Sequence, residues 1–478
     1  MNSSEAETRT VSFIGLMNYT LLNRYVFHAS LNAEGNSAMG RNKRMGYFPA
    51  AGIAWTLQNE SFMESLRDRW LDEAKIRVSV GQSGRAPSGT SIYLGAYVKG
   101  DNYMNMSGTK PERMQLDDLH WETSTEYNYG ADVMLFGGRL KFTFDYYQKY
   151  IKDLLQKDYK LPSSTGFGSM RYYNSGKMEN KGWEFRADAI FWKNKDWQIS
   201  GYVNLSRNEN RITELPGNMA QETYEANNGK YAARVEVGQP VGAFYGYRYL
   251  GVYKDKDATY ARDASGNIMN DVHGKPIVMK NLTKACQPGD AIYEDINHDG
   301  VINQYDIVYL GNYNPVLTGG AGLTVKYKQV SLSAFFHGRF GQSIVNTARM
   351  NNESMYSDDN QSTAVLRRWR NEGDVTDIPR ALYKEGYNYL GSDRFVEDAS
   401  FIRLKTLTLN YLFPKKICNR LGINTLSCFV TGYNLFTWTN YTGQDPEVEI
   451  PTKPTDLAED KATTPVSMRF AFGINLNF

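Results

Sequence analysis

The chain has 478 residues, and its 54 basic and 52 acidic side chains are interspersed, so a net charge of +2 leaves no basic patch for a nucleic-acid partner. Mean hydropathy is −0.54, and no stretch approaches the roughly 18 consecutive apolar residues of a membrane helix, which excludes helical spans. Three scattered cysteines, Cys286, Cys418 and Cys428, are too few for a disulfide framework or a zinc site.

In chain order, the polar and acidic stretch Met1 to Thr10 carries no secretory signal pattern. Period-2 alternation then predicts thirteen spanning strands, near 12 to 19, 25 to 34, 47 to 57, 71 to 82, 123 to 135, 139 to 151, 177 to 190, 197 to 208, 318 to 327, 330 to 338, 401 to 413, 425 to 438 and 465 to 478. Leu140, Phe142, Phe144 and Tyr146 alternate with Lys141, Thr143 and Asp145, so one face is apolar and the other wet. The last strand sets Phe470, Phe472, Ile474, Leu476 and Phe478 on one face and ends on a free aromatic carboxy terminus, the pattern of a barrel's membrane-insertion signal. Aromatic residues make up 13% of the chain, as interface belts require.

The expected connections alternate between short and long. Short ones fall at 20 to 24, 58 to 70, 136 to 138, 191 to 196, 328 to 329 and 414 to 424; long ones fall at 35 to 46, 83 to 122, 152 to 176, 209 to 317, 339 to 400 and 439 to 464. Short periplasmic turns and long extracellular loops are the habit of outer-membrane barrels, and they put the carboxy terminus in the periplasm. The predicted fold class is therefore all-β, an antiparallel transmembrane β-barrel segment. The apolar segment Val241 to Tyr253 would break that rule as a span, so it is assigned to an extracellular excursion over 209 to 317.

Within that excursion, Asp295, Asn297 and Asp299 occupy positions 1, 3 and 5 of a calcium-type loop, with Gly300 at 6, the Val301 carbonyl at 7, Asn303 at 9 and Asp306 at 12. Hard oxygen donors at this spacing suit Ca²⁺ as a structural cofactor, and Asp306 in place of glutamate shortens the reach at position 12. An Asx-rich turn without metal is the plainer reading. The five histidines are dispersed and no catalytic motif occurs, which predicts no enzyme. The pairs Asp117 with Asp118 and Glu447 with Glu449 read as solvated carboxylates. Tyr172, Tyr173, Trp369 and Tyr387 fit ligand stacking or loop packing equally, and 362 to 380 begins like a short amphipathic helix.

Taken in order, several stretches resemble the carboxy-terminal barrel of SusC/RagA-type TonB-dependent transporters. They include LLNRYVFHASLNAEGNSAMG (21 to 40), FPAAGIAWTLQNESFM (48 to 63), NKGWEFRADA (180 to 189), PGDAIYEDINHDGVINQYDIVYLGNYNPVLTGG (288 to 320), VEDASFIRLKTLTLNYLFP (396 to 414) and TGYNLFTWTNYTGQDPE (431 to 447). The resemblance covers nearly the whole chain. It implies a 22-stranded barrel filled by a plug, import of oligosaccharides or peptides energised through TonB, and a SusD-like surface lipoprotein as partner in a Bacteroidetes outer membrane. Against that pattern the plug, its TonB contact, the signal peptide and about nine strands are missing, so the expectation is an incomplete wall segment. A second polypeptide would then supply strands, because open edges do not persist in lipid. The alternatives are a soluble β-rich carbohydrate-binding or adhesin-like protein with a dockerin-like calcium loop and, more remotely, a β-rich glycosidase.

Overall fold

The computed structural model describes residues 7–478 except 68, 105, 217–225, 233, 449–450, 452–455 and 465. Its centre is one antiparallel sheet of thirteen strands in strict chain order. We number them β1 (Thr10–Leu21), β2 (Tyr25–Asn36), β3 (Met45–Thr56), β4 (Leu71–Arg85), β5 (Glu122–Leu135), β6 (Leu140–Lys152), β7 (Lys177–Lys193), β8 (Trp197–Glu214), β9 (Leu317–Tyr327), β10 (Val330–Phe340), β11 (Phe401–Leu412), β12 (Thr425–Thr439) and β13 (Arg469–Asn477). All thirteen predicted strands are present. Their limits fall within three residues of those predicted except at two: β8 runs on to Glu214, and the last strand begins at Arg469, Pro465 lying outside the described residues.

The short connections are closed by local chemistry. Leu22 and Asn23 after β1, and Phe136, Gly137 and Gly138 after β5, take positive φ to reverse the chain tightly. The Asn194 side chain accepts N–H bonds from Asp196 and Trp197 between β7 and β8. The expected sorting by length fails for 37–44, which is shorter than both 413–424 and 57–70. The latter fills its extra residues with 3-10 turns and the short helix Glu64–Arg67, which the sequence reading lacked.

Register makes the faces continuous. From Tyr25, the first residue of β2, paired positions run through Trp55, Ile76, Ala131, Phe144, Phe185, Leu205, Gly319 and Gly338 to Ile402 and Trp438, at the opposite ends of β11 and β12. The row climbs by about one residue per strand; with a rise of about 3.3 Å and a strand spacing of about 4.8 Å, that stagger tilts the strands by roughly 35°. Aromatic pairs flank the apolar face at both ends. Tyr25 stacks with Trp55 and Trp197 with Tyr327 at the short-turn end, while Tyr127 meets Tyr150 and Phe336 meets Trp438 at the long-loop end. Tyr25 and Trp55 both donate to the Glu60 carboxylate, so their polar tips are satisfied where their rings are apolar.

The buried core lies elsewhere, in the long connections. Phe244, Tyr245, Tyr247, Tyr293, Leu390 and Phe395 are almost wholly inaccessible, in two adjoining clusters built from 226–313, 344–399 and 441–458. Val241 to Tyr253 splits into Ala243–Gly246 and Tyr249–Val252, which pair with Val308–Asn312 and Ala291–Tyr293 rather than with the large sheet. Two further hairpins, Ala96–Tyr103 with Met106–Arg113 and Leu155–Lys160 with Ser169–Asn174, stand in stretches read as loops. The helix expected at the start of 362 to 380 is instead a single 3-10 turn, Thr363–Arg367, because Val365 and Ile378 bury into one small cluster with Met355.

Candidate functional site

The polar face of the sheet is a chemical surface of its own. Arg77 on β4 is held by two carboxylates from neighbouring strands. Its Nε donates to Asp132 at 2.8 Å and its Nη1 to Asp145 at 3.0 Å. Glycines let rings lie flat on this wall: a Cβ on Gly322 would meet the Tyr202 ring at 2.3 Å, and one on Gly473 would meet Phe429 at 2.3 Å. Phe335 stacks on Tyr202, and the Arg186 guanidinium lies 5.1 Å over the Tyr202 ring. At the long-loop end, Arg403 of β11 reaches the segment that follows β12, donating to Glu447 at 2.8 Å and Asp445 at 2.6 Å, while Lys405 donates to Glu447 at 2.7 Å. Sequence reasoning missed both clusters, because alternation gives a residue's face but not its register.

The opposite face is apolar and open. Phe470, Phe472, Ile474, Leu476 and Phe478 are 53% to 82% exposed and share one side of the last strand. On β1, Phe13, Met17 and Tyr19, paired with Ala33, Ala29 and Phe27, extend this face and are likewise exposed. In water such a surface would be an association liability; in lipid it is the expected exterior.

The segment from Asp295 to Asp306 folds as a run of tight turns closed by side-chain acceptors. Asp295 accepts N–H bonds from Asp299 and Gly300, Asn297 accepts from Asp299, and Asp299 accepts from Val301. Gly300 turns at φ +80. Asp306 is buried and accepts from the N–H groups of Ile296 and Asn303, closing the loop on itself, and Asn303 caps the 3-10 turn Gln304–Asp306. Burial pushes the Asp306 carboxyl above the usual range, and the nearby Asp295 and Asp299 charges add to that push. Among the described residues these carboxylates have no ion-pair partner, and no three His, Cys, Asp or Glu side chains converge as a ligand set; the available donors are carboxylates mixed with Asn303, Asn297 and the Val301 carbonyl. That set is hard and oxygen-rich, which fits calcium rather than a softer metal.

The remaining candidates fold loops. The Tyr172 hydroxyl meets Ser88, Tyr173 stacks on Tyr159, and Trp369 lies on Gly289. Tyr387 is half-buried against the excursion core. Asp117 accepts from Gln115 and Asp118 from Asn42 in exposed turns. Glu447 serves Arg403 and Lys405, and Glu449 lies outside the described residues. A tandem eight-residue pattern went unread: Asp263 and Asp271 each cap a turn closed by Gly266 or Gly274.

A tilted antiparallel sheet with one apolar and one polar face, aromatic belts and an elaborated long-loop end defines the wall of a transmembrane β-barrel. The family model described as TonB dependent receptor-like, beta-barrel matches residues 1–273, and the chain belongs to that family. It is 30% identical over 490 residues to TonB-dependent receptor P3 of Formosa agariphila, covering 99% of this chain and 46% of that protein. It is 29% identical over 493 residues to TonB-dependent receptor SusC of Bacteroides thetaiotaomicron, covering 98% of this chain and 44% of that one. The chain thus spans about half the length of the curated relatives it matches. In fold it is similar to a chain of the RagAB peptide transporter, with a TM-score of 0.78 at 24% identity over 99% of this chain and 48% of that chain.

Proposed function

We propose that this chain forms the carboxy-terminal wall and outer mouth of a SusC-like importer in a Gram-negative outer membrane, passing oligosaccharides or peptides through a polar lumen. The observation that carries this reading is the two-faced register, which sorts every spanning strand into a lipid side and a wet side. Further strands, from this or a second polypeptide, pair the edges of β1 and β13, because an open edge in hydrocarbon leaves backbone groups unsatisfied at several kcal/mol each. Energy reaches the lumen through a plug that contacts TonB, the long connections face outward beneath a SusD-like lipoprotein, and the Phe470 to Phe478 face serves as the assembly signal. Fractionation of the native cells with an antibody to 439–464 tests this. A heat-modifiable outer-membrane band that co-purifies with a surface lipoprotein is expected; a monodisperse species without detergent would overturn it in favour of a soluble binding protein.

The loop from Asp295 to Asp306 is proposed to hold one structural Ca²⁺ that stiffens the excursion. Calcium at about 100 times its dissociation constant should stabilise the excursion by about 2.7 kcal/mol. Amide exchange over 295–306 should therefore slow on adding calcium and recover with a chelator. Asp299→Asn keeps the acceptor for the Val301 N–H but removes a charge, so it should blunt that response; identical exchange with and without calcium in the parent would remove the metal.

A further inference from the structure

We propose that the free edge of β8 between Arg207 and Arg211 binds an extended peptide by strand addition. The strand is laddered to β7 along its whole length, but its pairing with β9 stops at Ser206 opposite Thr318. The reason lies in the opposing chain. Pro315 has no N–H to offer, and Val316 turns its own N–H to the Phe340 carbonyl of β10. A cleft of about 250 Å³ remains, lined by the β8 edge and by Pro240, Tyr309, Asn314 and Pro315.

Which backbone groups face that cleft follows from one pair of bonds. Ile212 donates its N–H to the Gln239 carbonyl and accepts from the Gly238 N–H, both on the side away from β7. In an antiparallel strand the N–H and C=O of one residue point the same way and the direction alternates. Asn210 and Asn208, in phase with Ile212, therefore present a donor and an acceptor each to the cleft. Among the described residues no backbone partner meets them there. Their side chains are already engaged: the Tyr147 hydroxyl donates to Asn208 at 3.0 Å, Asn210 donates to Asn180 at 2.9 Å, and it accepts from the Val241 N–H at 2.8 Å. What is offered is main chain in strand phase, which an extended peptide matches and a branched sugar does not. Side-chain selectivity is correspondingly low, as suits a site for varied peptides.

This deepens the import reading by naming one ligand class, and because binding is measured without transport the two can fail separately. The probe is a fluorescent hexapeptide of alternating Ser and Val, with a counterpart N-methylated on the alternate nitrogens that would face β8, titrated against the full protein purified in detergent. The parent peptide should bind saturably and the methylated one at least tenfold more weakly. Asn208→Pro removes the cleft-facing N–H together with the amide side chain and should abolish binding, whereas Asn208→Ala, which loses the side chain alone, should stay within twofold of the parent. Amide exchange in the unaltered protein gives an independent reading, since the peptide should slow Asn208 and Asn210 specifically. Equal binding of both peptides, no saturable binding, or unchanged exchange at those two amides overturns the proposal.

Discussion

Replacing Arg403 by alanine should free the segment that follows β12 from the sheet, at a cost of about 3–5 kcal/mol to that contact, because it strands two half-buried carboxylates. The guanidinium is 3% exposed and serves three acceptors at once: Glu447, Asp445 and the Thr437 hydroxyl at 2.8 Å. Lysine at this position keeps the charge but cannot reach all three in one plane, so Arg403→Lys should recover only part of the loss. Amide exchange over 440–448 is the readout, and rates within twofold of the parent for Arg403→Ala would show that the clasp is not what holds the segment. The same clasp has a pH signature. Burial alone would raise the Glu447 carboxyl, but the Lys405 ammonium and Arg403 guanidinium outweigh it and hold the group below its usual value. A depressed folded value means the stabilisation is complete above the ordinary carboxylate range and is lost as pH falls through the depressed one. Exchange over 440–448 should hence accelerate only once pH has fallen below the ordinary carboxylate range, and Glu447→Gln should remove that acid limb.

The fold was legible because a barrel strand is a two-period object and its signal is local. Leu140 to Tyr146 or Trp183 to Ala189 announce their faces without reference to any partner. The long connections were not legible in the same way. Within the excursion the strands are two to five residues long, too short for a period to register, and the partners of Ala291–Tyr293 and Val308–Asn312 lie tens of residues away. Length was also an imperfect guide, since helices and 3-10 turns can swell a turn such as 57–70 without changing which end of the sheet it closes.

For the site, the turns from Asp295 to Asp306 were legible because their acceptors sit within twelve consecutive residues, so spacing alone nearly determines their hydrogen bonds. The Arg77 and Arg403 clusters were not. Each needs register across strands or a return of the chain from more than forty residues away, as between Arg403 and Glu447. The β8 edge is a subtler case, for its signal is the failure of a pairing. Pro315 was visible in the sequence, but only the observed register shows that it falls where the ladder to β8 would have continued.

Adjacent residues on β9 should answer oppositely to the same substitution. Leu323 is 45% exposed on the apolar face, paired with Gly201 and Ala334, while Thr324 lies on the polar face, where its hydroxyl meets Ser333 at 3.1 Å. Arginine at a lipid-facing position near the bilayer midplane costs about 2–4 kcal/mol, whereas lumenal substitutions chiefly tune the passage. Leu323→Arg should therefore cut the folded, heat-modifiable fraction in lipid vesicles severalfold, and Thr324→Arg should leave it near the parent level. A soluble sheet predicts otherwise, because an exposed leucine facing water tolerates arginine within about 0.5 kcal/mol. Equal behaviour of the two variants would thus count against a membrane face, and equally severe losses would place both residues in a packed interior. The contrast depends on one residue of register, since a slip by one exchanges the faces of the whole strand.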